Sequence, residues 1–203
     1  VFAKIILNVA FAEREIVKKM GARWDPAHKV WYLLPGMDPK PFARWMVESP
    51  KRDKVSVSQL GLIRNMMACW SCKGYVTICA VFARQCLEKQ GLFILYDISF
   101  LPDSIESFLK RHCPHFRLGK VNAAGYLLYR NHCDHCRQGL SDAVLHQLGG
   151  ALNPKTVKDC KLVELIDLMF YETLLVEASV HDYSDNHLLQ NHARVQDYLL
   201  DFV

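Results

Sequence analysis

Lys155-Thr-Val-Lys-Asp-Cys-Lys-Leu-Val-Glu-Leu-Ile-Asp-Leu-Met-Phe-Tyr-Glu-Thr-Leu-Leu-Val-Glu-Ala178 is the stretch on which the architecture turns. Val157, Leu162, Val163, Ile166, Leu168, Phe170, Leu174 and Leu175 form a dense apolar series, punctuated by Asp159, Glu164, Asp167, Glu172 and Glu177. The pattern predicts a long helix over 155–178. A helix apolar over so much of its circumference has to be buried, against the rest of the chain or a second copy. Leu162, Ile166, Met169, Phe170 and Leu174 would otherwise expose a patch larger than soluble monomers tolerate. His187 to Phe202 reads as a further amphipathic helix, so 151–203 becomes a helical tail packed on a body.

That tail is acidic, with 4 Lys/Arg against 9 Asp/Glu, whereas 1–54 carries 11 against 6 and 55–150 carries 10 against 6. A basic body before an acidic tail points to a charged partner or to internal docking. The 203 residues suffice for one large or two small domains, and 51% hydrophobic residues with 10 Gly and 8 Pro exclude disorder and collagen-like repeats. Apolar runs such as Ile5–Leu7 and Leu92–Tyr96 are far short of the ~18 residues a membrane span needs. Asn8 and the charged Glu13, Arg14 and Glu15 stand where a secretory leader would have its apolar core and cleavage site, so a cytoplasmic chain without membrane contact is expected.

Eight cysteines are about 4% of the chain, below the usage of a disulfide scaffold. Their spacing says more. Cys69-Trp-Ser-Cys72 and Cys133-Asp-His-Cys136 are two C-x-x-C pairs, and in a reducing compartment such pairs read as metal ligands before they read as disulfides. Two thiolates from each of two turns supply the tetrahedral sulfur set of a structural Zn²⁺, at ~2.3 Å per bond. Lys73-Gly74 and Gly139 provide turn-permitting residues behind the pairs. A thioredoxin-like redox role for Cys69-Trp-Ser-Cys72 lacks the βαβ context it needs. His112, Cys113, His115, His132 and His135 lie near enough in sequence to substitute as ligands. Strand-like Leu92–Tyr96, a helix near Asp103–Lys110 and strand-like Gly125–Tyr129 separate the pairs, making 55–150 a zinc-ribbon-like domain with an inserted strand-helix unit.

Ahead of a charged linker, Pro50-Lys-Arg-Asp-Lys54, residues 1–50 have their own punctuation. A strand at Lys4–Val9, a helix over Ala12–Met20 closed by Gly21, a hairpin of Ala22–Asp25 and Val30–Leu33, and a short Pro-initiated helix at Pro39–Met46 make a β-α-β-β-α module. The fold class expected is therefore α+β. In the hairpin, bases alternate with large flat rings, a surface that can stack unpaired bases while cations hold phosphates. Arg23, Lys29, Trp31, Lys51 and Arg52 are the candidate contacts. Trp24, Trp31 and Trp45 could equally be the core of a small module with little else to bury.

Gly21-Ala-Arg-Trp-Asp-Pro26, Lys29-Val-Trp-Tyr32, Pro35-Gly36 and Phe42-Ala-Arg-Trp45 resemble a small domain of unknown function appended to plasmid-conjugation DNA primases and other mobile-element proteins, with a fainter likeness to the HARP modules of annealing helicases. Cys69-Trp-Ser-Cys72 and Asn131-His-Cys-Asp-His-Cys136 with Leu145-His146 resemble the zinc-binding half that follows this domain in uncharacterised bacterial proteins. The resemblance implies zinc and a mobile-element or interbacterial setting, without an activity.

No phosphate-binding loop, dinucleotide fingerprint, H-E-x-x-H or nucleophile elbow is present, and four thiolates leave zinc no open position for catalysis. Two non-enzymatic readings follow: a zinc-stabilised protein that binds single-stranded nucleic acid, or an immunity protein whose acidic tail blocks a cognate toxin.

Overall fold

The computed structural model describes residues 5–26, 29–46, 52–121, 127–169, 173–183 and 187–199. The chain divides into two compact units, 1–51 with 118–128, and 52–117 with 129–203. Strands and helices are both present, as an α+β chain requires.

In the first unit, β1 (Ile5–Leu7), α1 (Arg14–Lys19), β2 (Arg23–Asp25) and β3 (Val30–Leu33) are joined by a 3-10 turn at Phe11–Glu13 and followed by another at Lys40–Trp45. The antiparallel sheet runs β1-β3-β2. Gly21 takes a φ of +103° immediately beyond the end of α1, a conformation glycine adopts without the steric cost of a side chain. Leu7, Val17, Ala22, Leu33, Phe42 and Trp45 form the core. Trp45 keeps its indole N–H satisfied by donating to Glu13 at 2.8 Å.

The second unit is built on β4 (Asp53–Ala68), β5 (Tyr75–Cys86) and β6 (Lys89–Phe100), with α2 (Asp103–His112) after them. β7 (Phe116–Lys120) and β8 (Leu127–Asn131), whose residues are divided between the two units, pair as a two-stranded sheet. Short helices α3 (Asp142–His146) and α4 (Val157–Cys160) lead into β9 (Glu164–Met169), β10 (Leu174–Asp182), α5 (His187–His192) and β11 (Arg194–Leu199). The large sheet has the order β10-β6-β5-β4-β9-β11, and β10 pairs a second time, with β4, so four strands share a closed cycle of pairings. β5 is central, and every residue from Ile78 to Ala83 is buried, because both faces of the strand are covered.

Two sequence expectations are corrected here. Residues 155–178 are not a helix: beyond the short α4, they supply β9 and the start of β10. Val163, Leu165, Ile166 and Leu168 are buried almost without interruption, as in a strand covered on both faces, and a short apolar run of that kind has no period that separates it from a buried helix. Leu162 is left largely exposed, and Phe170 lies outside the described residues. Of the helix expected over 187–202, His187–His192 form α5 and Arg194–Leu199 form β11, parallel to β9, while 200–202 lie outside the described residues.

The acidic residues that broke the apolar run have partners within the fold. Glu164 sits opposite Arg64 and accepts from it at 2.7 Å, with Arg194 at 3.1 Å. Asp167 takes two bonds from Arg84, both 2.9 Å. Gly61 makes room for this crossing, since a Cβ there would lie 2.6 Å from the carbonyl oxygen of Ile166. Among the described residues no helix is long and apolar enough to cross a membrane.

Candidate metal centre

Cys69 and Cys72 stand in the turn joining β4 to β5, and Cys133 and Cys136 in the turn after β8. The two turns share a hydrogen-bonding scheme. Cys69 N–H donates to Gly74 at 2.8 Å and Lys73 N–H returns to Cys69 at 3.0 Å. Likewise, Cys133 N–H donates to Gln138 at 2.9 Å and Arg137 N–H returns to Cys133 at 2.8 Å. Lys73 and Arg137 both have positive φ, 63° and 60°, so the left-handed position falls on the residue after each second cysteine rather than on Gly74 or Gly139. Gly74 serves packing instead: a Cβ there would stand 2.7 Å from the His135 ring, which reaches back to Tyr75 O at 3.3 Å.

These turns bring all four sulfurs within 4.8 Å of one another, a set that could hold a metal ion. The pairs Cys69–Cys136 and Cys72–Cys133 are 3.8 and 3.6 Å apart. Four sulfurs placed tetrahedrally at ~2.3 Å from one ion have edges of ~3.8 Å, close to these two separations. Electrostatics agree. Amide N–H groups of Cys72 and Ser71 outweigh burial and hold the Cys69 thiol down to about 7. At Cys72 the Gly74 amide also favours the thiolate, but burial and the three neighbouring sulfurs push it up to about 11. Crowded sulfur charge of this kind is what a bound dication relieves. Cys69 and Cys133 belong to the buried core, whereas Cys72 and Cys136 face solvent.

The substitute ligands do not join this set. Cys113 lies against Cys79, and His115 is 4.0 Å from Cys79. His132 faces the His115 carbonyl at 3.2 Å, and His112 stacks on Phe108.

Asn131 is a residue that sequence reading passed over inside its own motif. Fully buried, it accepts from Cys79 N–H and donates to Cys79 O, both at 2.8 Å, which fixes the second metal turn against the central strand. Asn131→Leu would leave both backbone groups of Cys79 unpaired, so a loss on the order of 3 kcal/mol is expected in urea unfolding. A change below about 0.5 kcal/mol would remove this assignment.

The nucleic-acid candidates separate. Arg23 and Lys29 are exposed. Trp31 is half-buried against the first unit's core, and its cross-strand partner Trp24 is the exposed ring, 47% accessible, with centroids 5.6 Å apart. Strand alternation puts Arg23 on the face opposite Trp24 and Trp31. The Arg52 side chain is only 7% exposed and is tied to Asp97, donating to the carbonyl at 2.9 Å and approaching the carboxylate at 3.3 Å. Lys51 lies outside the described residues.

Comparison with known proteins places one segment. Residues 4–46 match the domain of unknown function DUF5710. Over 42 residues, 21% of the chain, it is 52% identical to DNA primase TraC of Escherichia coli. Over 39 residues, 19% of the chain, it is 46% identical to a second Escherichia coli DNA primase TraC. The chain spans only 4% and 3% of the length of these relatives. No solved structure matches the chain significantly. The DUF5710 segment holds Arg23, Lys29 and both paired tryptophans, while the four cysteines lie wholly outside it.

A cavity of about 650 Å³ in the second unit is lined in part by Tyr96, Asp97, Asp142, His146, His181 and Tyr183. Burial raises the Asp142 carboxyl to about 6, Arg130 opposing and Asp97 assisting. Burial, helped by His181, lowers His146 to about 4. Asp142 therefore contributes stability at low pH that is lost as pH rises through 6, and His146 contributes stability at neutral pH that is lost as pH falls from 6.5 through 4. The two oppose each other in the wild type. In Asp142→Asn the His146 loss stands alone, so the variant should lose about 2 kcal/mol more than wild type between pH 7 and pH 4. Parallel pH profiles for the two proteins would refute this balance.

Proposed function

We propose that the chain is a zinc-stabilised, non-enzymatic accessory protein of a mobile-element system that binds single-stranded nucleic acid. The observation that carries the reading is a set of large rings left in water beside cations. In the first unit, Trp24 on β2 and Lys29, the residue before β3, are both exposed. In the second unit Trp70 and Tyr75, 60% and 71% exposed, flank Lys73 on the first metal turn. Rings of this kind stack bases of any sequence while cations neutralise phosphates, and the similarity of the DUF5710 segment to DNA primase TraC is consistent with work on a nucleic acid. The four-thiolate zinc would be structural, holding Trp70 and Lys73 on a rigid turn.

The toxin-blocking alternative rests on the acidic tail. Glu164 and Asp167 are instead paired with Arg64 and Arg84, which removes much of that support. Fluorescence titration with oligothymidylate tests the proposal. Trp24→Ala and Trp70→Ala should each weaken binding by ~1–3 kcal/mol, and log affinity should fall linearly with log salt. Binding that is weak and insensitive to salt would sink it.

A further inference from the structure

Apart from the metal cluster, the described residues contain a second close approach of thiols. Cys79 Sγ and Cys113 Sγ are 2.7 Å apart, nearer than the 3.6 and 3.8 Å contacts among the four metal-site cysteines. Both are fully buried. They come from different elements, the centre of β5 and the residue that ends α2, and both backbones are held. Cys79 is opposite Arg64 on β4 and is bonded on its other side by Asn131. Cys113 donates its N–H to Leu109 at 2.7 Å and accepts from Phe116 at 2.8 Å.

We propose that Cys79 and Cys113 form a disulfide-closing pair that responds to low-molecular-weight disulfides and is chemically separate from the four-thiol metal site. A second metal site is the competing use of these sulfurs, since His115 Nε2 is 4.0 Å from Cys79 and its other nitrogen faces Asp134 at 3.7 Å. Yet the four-thiol set is the one group of three or more ligand atoms that gathers within 4.8 Å among the described residues. Two sulfurs in contact suit a covalent bond between them better than a shared ion.

The exchange balances without any further reactant. Cys113, whose thiol is held below its ordinary pKa chiefly by the Cys79 hydrogen bond, attacks one sulfur of glutathione disulfide as thiolate. The glutathione S–S bond breaks and one glutathione leaves. Cys79 sulfur then attacks the Cys113 sulfur of the mixed disulfide, displacing the second glutathione. The protein pair loses two electrons and two protons, and glutathione disulfide becomes two thiols. Because both sulfurs are buried, reagent reaches Cys113 through transient opening at the end of α2, which sets the rate but not the product. The bond formed fastens the C-terminal end of α2 to the middle of the sheet.

Full-length zinc-loaded protein incubated with glutathione disulfide, then acid-quenched, alkylated in denaturant with chelator and peptide-mapped, tests the proposal. Expected are a linked peptide pair containing Cys79 and Cys113, a mass loss of about 2 Da, zinc retained throughout, and a raised urea midpoint that returns to its starting value on adding reductant. Cys113→Ser should abolish the link and leave the zinc content unchanged. If that variant fails to fold, the wild-type peptide map still decides. Full alkylation of all eight cysteines after equilibration, links confined to Cys69, Cys72, Cys133 or Cys136, or a second metal equivalent lost in Cys113→Ser, would each overturn it.

Discussion

For the proposed structural zinc, removal with a chelator at neutral pH is expected to abolish the cooperative melting of the unit formed by 52–117 and 129–203. Structural zinc contributes ~10 kcal/mol or more to folding in small thiolate sites, comparable with the ~5–15 kcal/mol by which whole domains are stable. Here the loss would spread, because Cys69 and Cys133 belong to the same buried cluster as Ile63, Val76, Ile78 and Phe82. Stripping the ion leaves sulfurs 3.6–3.8 Å apart with nothing to offset their mutual repulsion once ionised. Cys69→Ser and Cys133→Ser should each reduce bound zinc from one equivalent to a small fraction and lower expression of soluble protein. Circular dichroism melts with and without chelator, beside elemental analysis, check this. Protein purified without added zinc that carries under half an equivalent of metal and melts unchanged would defeat it.

The second large effect is expected from truncation after Asn153. Such a fragment loses β9, β10 and β11, half of the six-stranded sheet. Both edges uncovered are long: β4 would lose β9 and β10, and β6 would lose β10. Leu165, Ile166, Leu168 and Val176 leave the core with them, on the order of 10 kcal/mol at ~1.5–3 kcal/mol for each large buried side chain. Unpaired apolar edges also invite aggregation. The fragment should be recovered from inclusion bodies or as high-mass aggregate in gel filtration. A soluble fragment with a cooperative melt would show that the sheet does not depend on its last three strands.

What could be read from the sequence was local. The C-x-x-C spacing is a property of one turn, and both turns are built as that spacing implies; Gly21 marks a helix end in the same way. What could not be read depends on partners distant along the chain. β9 is an interior strand, paired along one edge with β4 and along the other with β11, and its consecutive residues Leu165 and Ile166 are both buried, so the run shows no strand period. Arg52 looked like a free cation in a linker, and only the fold brings Asp97 to it. The two left-handed positions fall on Lys73 and Arg137, residues without the usual signature of that conformation. Asn131, the residue that anchors the second metal turn, shows no signal beyond its place two residues before Cys133.

The double pairing of β10 bears on how the chain acquires its structure. Val55 and Val57 meet Val176 and Leu174, while Leu95 and Ile94 of the neighbouring hairpin meet Val180 and His181. The β4-β5-β6 meander can form from adjacent sequence, but its two free edges wait for a segment more than a hundred residues beyond the start of β4. Contacts so remote slow the search for the native state. During synthesis from the N-terminus, the meander would stand with both edges open until the last quarter of the chain emerges. The metal turns can assemble earlier, since Cys136 precedes β10, so an ion bound at that stage would hold the partly made sheet in register until its closing strand arrives.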